Sequence, residues 1–334
     1  MKRPKIVIDA DIPFIRGRLE PWADTLYVDQ FGFTPENVAD ADAMIIRTRT
    51  RCNRDLLEGS AVKLIATATI GMDQFDLDWC HGAGIECVNA PGCNAPGVAQ
   101  YVWSVLLRSG FAPKRMTLGV VGHGNVGSIV ADWGRRLGAR VLVSDPPKRD
   151  AGTLGCDDTP LDTILKEADA VTLHVPMTRS GEYPTHHLIG ERELALMRPG
   201  ARLVNAARGP VVDNAAWRKA VAEGRVRAFV DTWEGEPDLD RELLRLAEVA
   251  TFHIAGYSTE GKQRATRMAL EAVGRRFGWD IDLSGLAGEY VCPELTERKI
   301  IDSFDPTPID EALRADPAAF DTLRRDYVFR PEVK

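Results

Sequence analysis

The stretch Leu118–Asp145, LGVVGHGNVGSIVADWGRRLGARVLVSD, decides the fold of this chain. Its apolar start, Leu118–Val121, has the length and composition of a buried strand. A G-x-G-x-x-G turn follows at Gly122–Gly127, and Arg140–Ser144 is predicted to be a second strand. Between them a helix is predicted, because apolar side chains recur at helical spacing at Val126, Ile129, Val130, Trp133 and Leu137. A strand, a glycine-rich turn, a helix and a second strand in this order predict a parallel α/β unit.

The glycine-rich turn has the chemistry of dinucleotide binding. Its first glycine permits the tight turn, its second lets the backbone approach a pyrophosphate, and its third lets the helix pack closely on the strand. The free N–H groups at the helix N-terminus favour phosphate. Asp145 ends the second strand, where a carboxylate accepts hydrogen bonds from ribose hydroxyls. We therefore predict cofactor contacts at Gly122, Gly124, Asn125, Val126, Gly127 and Asp145.

Asp145 also bears on the choice between NAD and NADP, because a carboxylate repels a 2′-phosphate. Lys148 and Arg149 follow it closely and in principle offer that phosphate two cations. The ordinary interpretation of these two residues is that they are solvated loop charges, which we favour. The sequence therefore favours NAD.

Composition and charge limit the class of protein. The chain has 334 residues, of which 44% are hydrophobic and 27% charged, as in a soluble globular protein of two domains. Its net charge of −7 argues against a nucleic-acid partner. No apolar run reaches the length of a membrane span, and acidic residues interrupt the apolar N-terminal segment too early for a signal peptide. The six cysteines form no C-x-x-C pair, so we expect reduced thiols in a cytoplasmic protein.

Apolar runs on both sides of the glycine-rich unit predict further parallel sheet. The predicted strands before it are Lys5–Asp9, Ala43–Arg47 and Leu64–Ala68. Those after it are Ala170–Val175, which carries His174 near its end, Ala201–Asn205, Val226–Val230 and Val249–His253. Helices are predicted over Leu161–Ala168, over Asn214–Glu223 with Asp213 as the cap, and from about Thr259.

Basic residues alternate with threonines after the second predicted strand, in Arg47-Thr-Arg49-Thr-Arg51. In an extended segment this alternation places the arginines on one face and the threonines on the other. Two interpretations stay open. The arginines form a solvated edge, or one or two of them bind a phosphate of the substrate.

Arg208, Glu236 and His253 fall at or beyond the ends of predicted strands. Each of them alone has an ordinary structural explanation. Together they suit the oxidation of a 2-hydroxy acid, because an arginine holds a carboxylate in a bidentate manner and a histidine exchanges the hydroxyl proton. A glutamate in contact with the imidazole fixes its tautomer and favours the imidazolium form.

The ordered segments GHGNVG, LVNAARGPVVD, DTWEGEP and FHIAG resemble the D-isomer-specific 2-hydroxyacid dehydrogenases. The resemblance spans nearly the whole chain. It implies an α/β fold of two Rossmann-like, doubly wound parallel-sheet domains. Residues 1–93 and 258–285 would form the substrate-binding domain, and residues 94–257 the NAD-binding domain. Residues 286–334 would be a small C-terminal dimerisation region of a homodimer.

The same resemblance implies roles for single residues. His253 would donate and accept the proton, Glu236 would be its partner, and Arg208 would anchor the carboxylate. The implied cofactor contacts are His174, Asp231, near the nicotinamide carboxamide, and Gly256. The expected substrate contacts are Arg47, Thr48, Thr69 and Tyr257.

The implied activity is the NAD-dependent oxidation of a phosphorylated 2-hydroxy acid to the 2-oxo acid, on the route to pyridoxal 5′-phosphate. Glycerate and 3-phosphoglycerate stay open as other substrates. A non-catalytic protein that senses the dinucleotide and binds a partner also stays open. The complete set of Arg208, Glu236 and His253 argues against that last alternative.

Two further features of the sequence give negative or minor expectations. Gln100 stands where many members of the family carry glutamate, and we expect this difference to affect only packing. His186 and His187, like Cys80, His81 and Cys87, lack the usual spacing of metal ligands, so no metal site is predicted.

Overall fold

The structure is a computed structural model that describes residues 3–29 and 31–334. The strands of this part of the chain are β1 (Lys5–Asp9), β2 (Asp24–Val28), β3 (Ala43–Ile46), β4 (Leu64–Thr67), β5 (Glu86–Val88), β6 (Thr117–Val121), β7 (Arg140–Ser144), β8 (Ala170–Leu173), β9 (Ala201–Asn205), β10 (Val226–Val230) and β11 (Val249–Ala250). The helices before β9 are α1 (Pro35–Val38), α2 (Arg54–Leu57), α3 (Leu77–Gly82), α4 (Ala95–Arg108), α5 (Asn125–Leu137), α6 (Pro146–Asp150), α7 (Leu161–Glu167) and α8 (Glu191–Leu196). Those after it are α9 (Asn214–Ala222), α10 (Arg241–Leu246), α11 (Thr259–Phe277), α12 (Glu297–Ser303), α13 (Thr307–Ala315) and α14 (Phe320–Arg325).

The chain divides into two compact units, Met1–Asn94 with Thr259–Tyr290, and Ala95–Ser258 with Val291–Lys334. The first unit contains a parallel sheet of order β2-β1-β3-β4-β5. Alternate residues of β1 enter two separate cores, Ile6 and Ile8 on the side of α11 and Val7 on the other. Because both faces are covered, the sheet is doubly wound and its strands are buried on both sides.

The second unit contains a parallel sheet of order β11-β10-β9-β8-β6-β7. The chain runs from β6 outward to β7 and then returns to β8 on the other side of β6. The strand order therefore reverses between β6 and β8, where open α/β sheets bind their ligands at the carboxyl ends of the strands. The glycine-rich turn follows β6 directly, as the sequence predicts.

Several predicted boundaries need correction. β3 ends at Ile46, and the chain bends at Thr48 and Arg49, so the expected extended geometry of residues 47–51 is wrong. β11 ends at Ala250, so His253 lies in a loop and not in a strand. β2 and β5, the two edge strands of the first sheet, are not predicted from the sequence. Edge strands are harder to recognise because only part of their surface is buried.

Residues 291–334 pack within the second unit. The Ser104 hydroxyl donates to the Phe304 carbonyl over 2.7 Å, and Arg108 Nη2 donates to the Ile301 carbonyl over 2.8 Å. Both donors belong to α4, nearly all of which is buried. None of the described helices is long and apolar enough to cross a membrane.

Candidate active site

Three neighbouring strands bring the loops of the site to one edge of the second sheet. β9, β10 and β11 are parallel, with Asn205 paired to Val230 and Val230 to Ala250. The loops after these strands carry Arg208, Glu236 and His253, so all three leave the same edge. The carboxyl edge of a parallel sheet is the ligand-binding edge of this architecture.

His253 and Glu236 form a hydrogen-bonded pair. Nδ1 of the imidazole lies 2.6 Å from Oε1 of the carboxylate, and the Trp233 N–H donates to the other oxygen, Oε2, over 3.2 Å. Burial raises the pKa of Glu236, but the bond and charge of His253 and the Trp233 N–H outweigh it, so the pKa lies below its ordinary value. With Nδ1 committed to the carboxylate, Nε2 is the atom that can exchange a proton with a substrate.

The loop of His253 is held by a buried aspartate. His253 itself adopts a φ of +58°, and its N–H donates to the Asp231 carbonyl over 2.8 Å. The Asp231 carboxylate is 1% exposed and accepts from the N–H groups of Ile254 at 2.9 Å and Ala255 at 3.0 Å. It also accepts from the Thr251 hydroxyl at 2.6 Å. The sequence reasoning named Asp231 only as a cofactor contact and missed this positioning of the His253 loop.

Arg208 lies in a loop shaped by Asn205. The Asn205 carboxamide donates to the Arg208 carbonyl over 3.0 Å and accepts from the Ala207 N–H over 3.1 Å. A Cβ on Gly209 would lie 2.0 Å from the Trp233 carbonyl oxygen, so this position admits only glycine. The loops that carry Arg208 and Glu236 are therefore in direct backbone contact. Sequence reasoning missed Asn205, although an asparagine at a strand end is a recognisable turn signal.

The C-terminal segment holds the chain just beyond His253. The Arg330 guanidinium is 7% exposed and donates to the carbonyls of Ile254 at 3.2 Å and Tyr257 at 3.1 Å, and also to that of Ala255. Glu332 accepts a hydrogen bond from the buried Ser258 hydroxyl at 2.7 Å. A buried guanidinium satisfied by neutral carbonyls fixes their positions, because each lost bond leaves a buried polar group unpaired.

Gln100 serves the same segment. It is fully buried, its Oε1 accepts from Arg330 Nε at 3.2 Å, and its Nε2 donates to the Pro331 carbonyl at 3.0 Å. A carboxylate could not donate to that carbonyl. The glutamine thus supports the C-terminal segment by hydrogen bonding as well as by packing.

Aromatic rings from the same segment surround Tyr257. The centroids of the Tyr327 and Phe329 rings lie 6.2 and 6.1 Å from that of Tyr257. The Arg324 guanidinium carbon lies 5.6 Å from the Tyr257 centroid, and the charge of Arg324 contributes to the low pKa of Glu236. Sequence reasoning missed Arg324, because nothing in its local pattern indicates that α14 approaches the His253 loop.

The glycine-rich turn fits a dinucleotide. A Cβ on Gly122, whose φ is +89°, would lie 2.6 Å from the His174 carbonyl oxygen, and one on Gly127 would lie 1.9 Å from the Gly122 carbonyl oxygen. A Cβ on Gly124 would meet nothing within 4 Å. Two of the glycines are therefore needed by the fold, while the middle one leaves open space at the start of α5 that would admit a pyrophosphate.

Other predicted cofactor residues lie around this turn. The Asp145 carboxylate accepts from the N–H groups of His123 at 2.8 Å and Lys148 at 3.1 Å. The His174 ring lies 3.0 Å from the Thr172 hydroxyl, and burial lowers the pKa of His174, which keeps it neutral. Gly256 is half-buried in the loop after His253.

The two cations beside Asp145 have partners in the chain. Lys148 Nζ donates to the His123 carbonyl over 2.7 Å. Arg149 pairs with Asp150 at 2.7 Å and with Asp158 at 3.1 Å. Both cations therefore bind groups of this chain and are not simply solvated. The Asp145 carboxylate remains the group at this strand end that is suited to ribose hydroxyls.

The remaining predicted substrate residues belong to the first unit. Arg47 pairs with the buried Asp9 at 3.1 Å and with Asp11 at 2.6 Å. The Thr69 hydroxyl lies 2.7 Å from that of Thr67. Thr48 is exposed, as are Arg49 and Arg51.

Known proteins resemble the chain along nearly its whole length. Residues 98–255 match the family described as D-isomer specific 2-hydroxyacid dehydrogenase, NAD binding domain. An erythronate-4-phosphate dehydrogenase of Bacteroides fragilis is 43% identical over 98% of this chain and 97% of its own length. The chain belongs to the family of D-isomer-specific 2-hydroxyacid dehydrogenases. The enzyme of the same name from a Pseudomonas putida strain is 39% identical over 98% of this chain and 93% of its own length.

Solved structures agree with this family. The crystal structure of D-lactate dehydrogenase from Aquifex aeolicus, complexed with NAD and lactic acid, has a TM-score of 0.67 and 28% identity over 82% of this chain and 96% of that one. An NAD-dependent formate dehydrogenase from Staphylococcus aureus shares the fold, with a TM-score of 0.65 and 22% identity over 83% of this chain and 98% of that one. The predicted fold class of Rossmann-like parallel sheets and the predicted cofactor are confirmed. The chain is an NAD-dependent oxidoreductase.

Proposed function

We propose that this enzyme oxidises 4-phospho-D-erythronate at C2 to 2-oxo-3-hydroxy-4-phosphobutanoate in the biosynthesis of pyridoxal 5′-phosphate. The observation that carries the proposal is the 2.6 Å contact between His253 Nδ1 and Glu236 Oε1. It leaves Nε2 as a proton acceptor at the edge of the sheet that also carries Arg208. The substrate is inferred from relatives named erythronate-4-phosphate dehydrogenase that align with almost the whole chain.

The chain's residues divide the work of the oxidation. Arg208 binds the substrate carboxylate and draws electron density from the adjacent carbon. His253 begins neutral and takes the C2 hydroxyl proton at Nε2, while the C–O bond becomes a carbonyl. The glycine-rich turn would hold NAD, which when bound would supply the acceptor for the hydride that leaves C2. Glu236 stabilises the imidazolium that forms and keeps the ring in its orientation.

The phosphate end of the substrate is assigned to the first unit, as its substrate-binding domain. We place it at the arginines of residues 47–51, and we assign Thr48, Thr69 and Tyr257 as further substrate contacts. Arg47 is oriented by Asp9 and Asp11, whereas Arg49 and Arg51 are exposed at the bend after β3. The cofactor contacts assigned above, the homodimer formed through residues 286–334 and the cytoplasmic location belong to the same proposal.

A comparison of substrates tests the assignment. Purified enzyme with NAD is assayed for NADH formation from 4-phospho-D-erythronate, D-glycerate and 3-phosphoglycerate. We expect kcat/KM for the first to exceed the others by at least about tenfold, equivalent to about 1.4 kcal/mol. A higher kcat/KM for 3-phosphoglycerate or glycerate would make that acid the assigned substrate instead. Folded enzyme that binds NAD but yields no NADH from any hydroxy acid would favour the dinucleotide-sensing alternative.

A further inference from the structure

Two adjacent histidines present their imidazoles on the same side of the chain. Successive side chains of an extended segment point to opposite faces. At His187 the φ is +50°, and the rings of His186 and His187 stack with centroids 4.0 Å apart and planes 23° apart. The backbone is anchored on both sides, since the His186 N–H donates to the Thr178 carbonyl at 2.9 Å and the His187 N–H to the Pro210 carbonyl at 2.7 Å.

A carboxylate from a distant loop joins these rings. His187 Nε2 lies 2.7 Å from Glu234 Oε1. One ligand-type atom from each of His186, His187 and Glu234 lies within 4.8 Å of the other two, and all three residues are half-buried. A small ion that replaced the direct His187–Glu234 contact would need only a modest opening of the pair, because metal–nitrogen and metal–oxygen bonds are about 2.0–2.2 Å long.

The surroundings offer further polar atoms. Asn214 is 5% exposed, and within the described residues neither atom of its carboxamide has a hydrogen-bond partner. The backbone N–H of Asn214 donates to Glu234 Oε2 at 3.3 Å. Asn214 and Glu234 both line an open cleft of about 620 Å³. Asp213 Oδ2 lies 3.9 Å from His187 Nδ1.

We propose that His186, His187 and Glu234 form a binding site for a divalent transition metal ion of the zinc type. Two imidazoles and one carboxylate, with a position left for water, are a donor set that Zn²⁺ accepts, whereas Mg²⁺ prefers oxygen ligands alone. Spacing along the chain does not reveal the site, because Glu234 is far from the histidine pair in sequence. The expectation that His186 and His187 are ordinary loop residues is revised on this ground.

The site connects two of the three loops that carry the proposed catalytic residues, those of Arg208 and Glu236. His187 is bonded to Pro210, two residues after Arg208, and Glu234 lies two residues before Glu236. A bound ion would tie the segment of His187 to the loop after β10, in addition to its existing bond to the loop after β9. Binding to the folded state alone stabilises it. Zinc should therefore raise the melting temperature of the protein.

The test is equilibrium dialysis of tag-free protein against Zn²⁺, with bound metal measured by mass spectrometry. The wild-type chain is expected to hold about one zinc ion at this site. His186→Ala is the variant of choice, because it leaves the His187–Glu234 contact intact. It should weaken zinc binding at least about tenfold and abolish the zinc-dependent rise in melting temperature. Its metal-free melting temperature, compared with the wild type, verifies that it folds.

His81→Ala is the matched control, since it removes an exposed imidazole in the first unit. It should bind zinc as the wild type does. His253→Ala should also retain the ion, which separates this site from adventitious zinc at the His253–Glu236 pair. Wild-type protein that holds no zinc would overturn the proposal. Equal binding by wild type and His186→Ala, or loss of the ion in His253→Ala, would overturn it as well.

Discussion

Oε1 of Glu236 lies 2.6 Å from Nδ1 of His253, although the two residues leave the sheet from different strands. Hydrogen bonds from other parts of the second unit hold each of the two residues in place. The Trp233 N–H holds the other carboxylate oxygen, and the Asp231 carboxylate holds the backbone beyond the imidazole. This arrangement leaves Nε2 of His253 available for the proposed proton exchange, and each part of it can be tested.

Replacement of His253 tests the proton transfer. His253→Ala should lower kcat by about 10²- to 10⁴-fold, the range for loss of one general acid–base group. The affinity for NAD, measured by fluorescence titration, should stay near that of the wild type, because the ring is assigned to the hydroxyl proton. His81→Ala is the matched control and should keep full activity. A kcat for His253→Ala within a factor of about three of the wild type is incompatible with the assigned role.

Replacement of Glu236 tests its charge. In Glu236→Gln the negative charge beside the imidazole is lost, so kcat should fall because the imidazolium that forms is no longer stabilised. Because the folded pKa of Glu236 lies below its ordinary value of 4.5, the wild type gains stability above that pH and loses it as the pH falls through the folded pKa. The difference in unfolding free energy between wild type and Glu236→Gln should therefore shrink on acidification. A pH-independent difference in urea unfolding would contradict this.

The phosphate assignment predicts a substrate-selective defect. Arg49→Gln and Arg51→Gln are the informative variants, since removing Arg47 also leaves the buried Asp9 without its ion pair. At least one of them should raise KM for the phosphorylated acid about tenfold, while kcat/KM for an unphosphorylated acid is unchanged. If KM values for the phosphorylated substrate are those of the wild type in both variants, the phosphate binds elsewhere.

The glycine-rich turn offers a matched pair of substitutions. In Gly127→Ala the new Cβ would lie 1.9 Å from the Gly122 carbonyl oxygen, so the turn must shift and stability should fall by about 1–3 kcal/mol. In Gly124→Ala the Cβ would meet no chain atom within 4 Å, so the fold should be kept while NAD affinity drops. Urea unfolding and NAD titration separate the two effects. Normal NAD affinity in Gly124→Ala would contradict the assignment of the pyrophosphate to that position.

The C-terminal segment should influence catalysis through the His253 loop. Arg330→Met leaves the carbonyls of Ile254, Ala255 and Tyr257 without their shared donor, and we expect a loss of at least about 2 kcal/mol in unfolding free energy. A lower kcat at a temperature where the variant is fully folded should accompany it, with partial rescue in Arg330→Lys. The exposed Arg325→Met is the control. Unchanged kcat in folded Arg330→Met would limit the segment to a role in stability.

The sequence by itself determined the two parallel α/β sheets, the glycine-rich turn, the acid at the end of β7 and the family. These features are local: apolar periodicity follows from burial on one or both faces, and a glycine pattern follows from backbone geometry within a few residues. It also determined which residues reach the carboxyl edge of the second sheet, because parallel neighbouring strands end together.

The tertiary structure alone decided what those residues touch. Asp231 supports the His253 loop, Arg330 bonds to carbonyls more than 70 positions earlier in the chain, and Glu234 meets the histidine pair 47 positions before it. No periodicity carries such contacts, since they depend on how separate loops fold back on one another. Their energies come from the burial of a few polar groups with matched partners, and only the assembled chain creates that burial.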